Sequence, residues 1–334
     1  MAPCNPVIPA IMAFDEAMLL SRSTFNRMRV YIKDKPHKWD AKLFMLCCST
    51  TAYCIRCCLR TRLLFLVHNF RYRVWSKLTV YYLYTAEKGE RRSDKLDGPA
   101  AVARNLQQGF GPIALPTGEM TLVVMDCFYS FVPLSMQLLT MEFYAIGLSD
   151  KLIPKKKKGD KKKPPKIPKN RPKNSDRGTF IVAESLHVLA MRVLRWWDTR
   201  GVYLLCTGGS VQPDRVVRRD VMSGEQHAVA CPRVVKDYQT YMGGVDVHDQ
   251  LRLQWYSLQL CIKYKKYYKG LFLGLVDLAI INAYIVFNAA RAASEHPKMS
   301  HVKFLKELHL ELCQLRNEDW EILSTNASFQ PTPS

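Results

Sequence analysis

Residues 120–148 constrain the fold more than any other part of the chain. Residues 121–125 (Thr-Leu-Val-Val-Met) are β-branched and apolar, which suits a buried strand. Asp126 follows at the carboxyl end of that strand. Residues 132–140 (VPLSMQLLT) read as a helix with Pro133 near its first turn, where proline is tolerated. Residues 142–148 (EFYAIGL) read as the next strand. Strand, helix and strand in that order predict an α/β sheet. In such sheets functional groups collect at the carboxyl ends of strands.

The same design occurs near the N-terminus. Residues 7–15 (Val-Ile-Pro-Ala-Ile-Met-Ala-Phe-Asp) read as a buried strand ending in Asp15, with Pro9 weakening its first half. An acid at the end of an apolar strand is costly to bury without a partner. The alternative is that Asp15 opens the following turn. A third junction is Tyr241-Met242-Gly243-Gly244-Val245-Asp246-Val247-His248-Asp249-Gln250. Its glycines predict a tight bend into a helix whose first turn presents Asp246 and Asp249 on one face. Carboxylates are favoured at a helix N-terminus, so on spacing alone helix capping is the first reading of this pair and chemistry the second.

Charge narrows the partners. With 49 Lys and Arg against 29 Asp and Glu, the chain carries a formal +20, which argues for a polyanion: nucleic acid first, an anionic membrane second. The positive charge is concentrated. Residues 24–42 are basic with interleaved Tyr31 and Trp39, a composition suited to phosphate contact or to a solvated basic face. Residues 151–177 hold thirteen Lys and Arg, two Asp and several prolines, and cannot bury a core. This stretch is expected to be a disordered nuclear-localisation or DNA-binding arm. Residues 263–269 alternate lysines with tyrosines. Candidate DNA contacts are Lys33, Lys35 and Lys38 in the first stretch; Lys155, Lys156, Lys157, Lys158, Lys161, Lys162 and Lys163 in the second; and Lys263, Lys265 and Lys266 in the third.

Eleven cysteines accompany no secretory pattern, so they are expected as reduced thiols in a cytosolic or nuclear protein. Cys47, Cys48, Cys54, Cys57 and Cys58 cluster beside a predicted buried strand over 41–48. Cys54-x-x-Cys57 lacks a second ligand pair at finger spacing, which favours small buried thiols over zinc. Residues 59–84 mix apolar, aromatic and charged positions; Arg60, Arg62, Arg71, Arg73 and Lys77 exclude a simple membrane span there. Residues 100–107 predict a short helix. Between 178 and 235 come short β-like runs at 179–182, 202–206, 216–218 and 228–229, with Trp196-Trp197 as core or as an aromatic platform. Residues 271–290 are long enough for a membrane span, yet Asp277, Asn282 and Asn288 favour a helix buried in a globular domain. An amphipathic helix at 299–315 and a polar tail follow.

Several blocks, in order, resemble the piggyBac-type transposases. They are Phe14 to Met18, Tyr31 to Trp39, Gly98-Pro99 to Asn105, Asp126-Cys127-Phe128-Tyr129-Ser130, Met242 to Gln250, and Lys265-Lys266-Tyr267-Tyr268 to Asn282. The resemblance covers most of residues 10–290. It implies an α/β fold with an RNase H-like (DDE/DDD transposase) core and a β-rich insertion. It implies cut-and-paste DNA transposition through an acidic triad that holds two Mg²⁺ (or Mn²⁺) ions. By position the catalytic acids are Asp15, Asp126 and Asp246, and the metal ligands are these three with Asp249. Phosphodiester cleavage and strand transfer are in-line displacements, for which two metals and hard oxygen ligands are suited.

The implied organisation is a first core part at 1–150, with an unplaced insert at about 59–97. A basic linker at 151–177, a β-rich insertion at 178–238, a last core part at 239–293, and a C-terminal helix and tail at 294–334 follow. The expected partner is double-stranded DNA, with a homodimer as the candidate assembly. No membrane and no small-molecule substrate are expected, and the expected location is the nucleus. Departures from the family pattern include Leu19 to Ser23 after the first acid, Lys38-Trp39-Asp40, Cys127 after the second acid, and Gly147-Leu148. Only fourteen residues precede Asp15, which reads as a truncated copy. The alternative function is therefore an inactive transposase relic that binds DNA through its basic surface alone.

Overall fold

The structure is a computed structural model. It describes residues 9–21, 23–26, 29–31, 39–59, 97–110, 120–149, 171–172, 174–220, 223–254, 256–264, 266–316 and 318–319. The strands are β1 (Ile11–Leu20), β2 (Arg29–Tyr31), β3 (Trp39–Cys48), β4 (Cys54–Leu59), β5 (Thr121–Met125), β6 (Phe143–Leu148), β7 (Phe180–Glu184), β8 (Arg192–Trp197), β9 (Gly201–Cys206), β10 (Pro213–Arg219) and β11 (Gln226–Pro232). The helices are α1 (Asp97–Phe110), α2 (Val132–Thr140), α3 (Arg233–Tyr241), α4 (Gly244–Arg252), α5 (Leu258–Cys261), α6 (Tyr267–Ala293) and α7 (His301–Gln314). The chain divides into two compact units. The first comprises Met1–Glu16, Phe44–Ala52 and Arg91–Val247; the second comprises Ala17–Leu43, Tyr53–Glu90 and His248–Ser334.

In the first unit, β1 and β5 run parallel, with Ile11 opposite Leu122 and Phe14 opposite Met125. β5 and β6 are also parallel, with Met125 opposite Gly147. β9, β8 and β7 extend the sheet antiparallel beyond β6. β10 and β11 form a separate two-stranded sheet, Pro213 opposite Pro232. The expected β5–α2–β6 succession is present, and its loop places α2 after Asp126. Strand β1 does not stop at Asp15. Ala17, Met18 and Leu19 are buried apolar residues that carry it on to Leu20, so Asp15 and Glu16 are interior to the strand. The helix expected at 100–107 is longer, running from Asp97 to Phe110 around buried Ala101, Val102 and Leu106.

β8 had no counterpart among the expected runs, because Arg192 and Arg195 interrupt its apolar pattern. The strand forms because alternate positions point inward: Leu194 and Trp196 are fully buried. The Trp196 indole N–H donates to Ala230 O at 2.8 Å, so its one polar group is matched inside the core. Trp197 is buried too, and both tryptophans are core rather than platform.

The second unit contains the remaining halves of β1 and β3, together with β2, β4 and α5 to α7. β2 pairs antiparallel with β3, Tyr31 opposite Trp39. Those two rings meet edge-on at 5.0 Å, and the Arg29 guanidinium lies 4.3 Å from the Trp39 ring. The aromatics expected beside phosphates thus pack first on one another. Among the described residues, α6 is the one helix long and apolar enough to cross a membrane. Its polar residues bond to the protein instead. The Asn282 amide donates to Cys54 O at 2.8 Å and accepts from Cys54 N at 2.9 Å; the Asn288 amide accepts from Met299 N at 2.7 Å and donates to Met299 O at 3.2 Å. Ser300 caps α7 by accepting from Lys303 N, as expected for Ser at an N-cap. Cys47, Cys48, Cys54 and Cys57 are buried thiols, and no disulfide is present among the described residues. The insert at 59–84 falls, from residue 60 on, outside the described residues, as does nearly all of the basic arm at 151–177.

Candidate active site

Parallel pairing of β1 and β5 sets the first two acids side by side. Phe14 is in register with Met125, so Asp15 and Asp126 are the next residues of their chains at the same level. Asp246 belongs to the first turn of α4 and comes within electrostatic reach of Asp15. Burial raises the Asp15 pKa from its usual 3.8 to about 7; the Glu16 N–H, donating to Asp15 Oδ1 at 2.8 Å, opposes this, and the charges of Glu16, Asp126 and Asp246 add to it. None of Asp15, Asp126 and Asp246 is in an ion pair among the described residues. The site therefore concentrates negative charge, and among the described residues no ion pair balances it.

Local structure fixes these groups. The Asp126 carbonyl accepts from Tyr129 N at 3.1 Å, Ser130 N at 3.2 Å and Ser130 Oγ at 2.9 Å, closing the turn after β5. Asp126 Oδ1 accepts from Cys127 N at 2.6 Å. A β-carbon at Gly147 would lie on Ser130 Oγ, so the residue opposite Met125 must be glycine. Tyr129 is fully buried, edge-on to Phe14 at 4.9 Å. Burial, then the Glu16 charge, hold its phenol far above the usual range. From α3, Tyr238 brings a second phenol to the site, raised by burial and then by the charges of Asp126, Asp15 and Cys127.

The two glycines before Asp246 differ. Gly244 begins α4 where a β-carbon would meet Cys48 O at 3.0 Å and Ser49 Cα at 3.2 Å; at Gly243 a β-carbon would meet nothing. The Gly243 carbonyl accepts from Val247 N at 2.9 Å and so starts the helix. The expected bend is present, and close backbone approach at Gly244 is what requires the missing side chain.

Asp249 lies in the second unit and is held differently. Its Oδ1 accepts from Arg252 Nε at 3.0 Å and Nη2 at 2.6 Å. Arg252 is fully buried and also donates to Gln259 Oε1 at 3.1 Å and to Met18 O. The expected joint presentation of Asp246 and Asp249 thus resolves into one acid with no ion pair and one acid in a buried ion pair. His248 between them has no solvent exposure. Burial, then the Arg252 charge, push its pKa down to about 4, against the opposing effect of Asn282.

Among the described residues, no three His, Cys, Asp or Glu side chains are grouped closely enough to form a ready metal cage. The donor set at Asp15, Asp126 and Asp246 is nonetheless hard oxygen, the kind Mg²⁺ and Mn²⁺ take. Of the lysines singled out, Lys263 and Lys266 are described, and the Lys266 ammonium lies 6.0 Å from the Tyr268 ring. Lys33, Lys35, Lys38, Lys155 to Lys158, Lys161 to Lys163 and Lys265 lie outside the described residues. Three site residues had not been singled out from sequence: Glu16, Tyr129 and Tyr238. Glu16 had a signal, a second acid inside an apolar strand. Tyr238 had none, because only the packing of α3 carries it to the acids.

The sequence profile of the family described as Transposase IS4 matches residues 7–284. Among solved structures, the chain is similar to a piggyBac transposase in a cryo-EM synaptic complex with hairpin DNA, with a TM-score of 0.58 and 20% identity. The match covers 98% of this chain and 59% of that one, so the chain spans less than two thirds of that transposase. The large mixed sheet flanked by helices is the RNase H-like α/β fold of that class. The chain belongs to the Transposase IS4 family and is a transposase-derived protein whose fold is that of a piggyBac transposase.

Proposed function

We propose that this chain carries a metal-dependent DNA strand-cleaving and strand-transfer site at Asp15, Asp126 and Asp246. The observation that carries the reading is the side-by-side placement of Asp15 and Asp126 on parallel strands, with Asp246 in reach and, among the described residues, no ion pair on any of them. Such a cluster is stable at neutral pH only with a cation or a proton. Asp15, Asp126 and Asp246 would hold Mg²⁺ or Mn²⁺. When bound, the ions would supply Lewis acidity toward a phosphodiester and toward the attacking water or 3′-hydroxyl. The Asp126 turn, held by Ser130 and Tyr129, orients one carboxylate; Gly244 lets the Asp246 helix approach the backbone at Cys48 and Ser49. Double-stranded DNA is the partner, held through the basic stretches and hence salt-sensitive. Nuclear location, a homodimer and Asp249 as a fourth ligand belong to the same reading.

Nicking of supercoiled plasmid in Mn²⁺ tests it, with Asp126→Ala beside the wild type and circular dichroism on both. Nicking lost in the folded variant supports the site. A folded wild type that binds DNA and does not nick it defeats the reading. That outcome would favour the second reading, a DNA-binding relic, which draws support from the diversion of Asp249 into its ion pair with Arg252.

A further inference from the structure

We infer that Tyr238 is a substrate-contacting residue of this site, whose phenol O–H donates a hydrogen bond to a non-bridging oxygen of the phosphodiester at Asp15 and Asp126. The inference rests on the strand-cleaving reading above and adds a residue to it. Its basis is placement. α3 packs on β6, and Tyr238 rests against the buried cluster that includes Ile146 of that strand. Ile146 is in register with Val124, two residues before Asp126. The ring is thus braced on its inner side by core side chains, beside the strand that pairs with β5. There its electrostatic neighbours are Asp126, Asp15 and Cys127.

The hydroxyl has no hydrogen-bond partner among the described residues. A half-buried phenol usually finds a partner when its ring is fixed by packing. Here the groups around it are carboxylates, which a phenol can serve only as a donor. A phenol is protonated at neutral pH, so it donates without transferring a proton. A donor held in place beside the acids suits the one ligand atom they repel, the anionic phosphate oxygen. A preorganised donor costs no reorganisation when charge builds on that oxygen. Tyr129, by contrast, is fully buried and sealed edge-on against Phe14, and is excluded from such a role.

The test uses the full chain with supercoiled plasmid and Mn²⁺, measuring the nicking rate at saturating protein and DNA affinity separately in Ca²⁺. Tyr238→Phe keeps the ring and removes the donor. The expected result is a rate about 10- to 100-fold lower with affinity and melting temperature unchanged, in line with loss of one preorganised donor. Placing 3-fluorotyrosine at position 238 keeps the donor and should hold the rate near wild type. Wild-type rates for Tyr238→Phe, beside an inactive Asp126→Ala, would overturn the inference while the strand-cleaving reading stands. A melting temperature lowered in Tyr238→Phe, with the fluorotyrosine protein equally slow, would make the residue structural and also overturn it. A folded wild type without nicking would overturn the strand-cleaving reading and this inference together.

Discussion

The aspartates of the two units are the same residue in opposite circumstances. In the second unit Asp277 is buried on α6 and accepts from Ser257 Oγ at 2.6 Å, Leu258 N at 2.9 Å and Gln259 N at 3.0 Å. Asp249 has the Arg252 guanidinium. Each charge meets donors built by its own unit. In the first unit Asp15 has one backbone donor and three negative neighbours, and burial lifts its pKa to about 7. Donor supply, not burial alone, separates an acid that holds the fold from one that waits for a ligand.

The largest expected effect breaks the comparison on the chemical side. Asp126→Ala should lower Mn²⁺-dependent nicking by at least about 10³-fold, since it removes a ligand from the proposed metal site. The melting temperature should hold or rise, because a repelling charge is gone. Asp277→Ala should do the reverse to stability. It leaves three donors at the start of α5 without their acceptor, at a cost of about 3–5 kcal/mol by urea denaturation. If Asp126→Ala proved the more destabilising of the two, the distinction drawn here would fail.

Acidity sharpens the contrast, because the two units respond with opposite sign. The Asp15 pKa is raised in the folded state, from 3.8 to about 7. The folded protein therefore keeps a proton that the unfolded chain loses. This contribution is fully present below about pH 4 and is lost as pH rises through about 7, on the order of 4 kcal/mol. His248 is the mirror case, with a folded pKa of about 4 against 6.5. Its contribution is present above about pH 6.5 and is lost as pH falls through about 4, on the order of 3 kcal/mol. Denaturation of Asp15→Asn and His248→Leu across pH 4–8 should flatten the two limbs separately. Mn²⁺ should restore stability in the alkaline limb for the wild type and not for Asp15→Asn.

The sequence made one half of this legible. The β5–α2–β6 succession, the strand at 41–48, the C-terminal helix and the acids at element junctions all follow from patterns of apolar and special residues. What escaped depends on pairing between distant segments. β8 is disguised by Arg192 and Arg195, whose side chains leave the alternate Leu194 and Trp196 to face the core. The continuation of β1 beyond Asp15 needs neighbouring strands to stabilise two acids within it. Arg252 answers Asp249 at an i,i+3 helical spacing that the sequence displays, but no local pattern could reveal that Arg252 is itself fixed by Gln259 and the carbonyl of Met18. Spacing set Asp246 and Asp249 three apart on one helix; their partners decided their different fates.

The smallest expected effect concerns how Asp246 is held, and two adjacent glycines separate the causes. At Gly244 a β-carbon would press on Cys48 O at 3.0 Å and Ser49 Cα at 3.2 Å, both backbone atoms that cannot turn aside. Gly244→Ala should therefore move the start of α4 outward and cost about 1–2 kcal/mol, the range for mild overpacking. Asp246 should withdraw with it, so the Asp15 pKa should fall as one negative neighbour recedes, measurable by carboxyl-carbon NMR titration. Gly243→Ala meets open space and should change stability by no more than about 0.5 kcal/mol, leaving the Asp15 titration in place. Equal effects at the two positions would mean that the bend, and not the approach of α4 to Cys48, sets the distance from Asp246 to Asp15. The charge concentration in the first unit would then be a property of the turn rather than of packing.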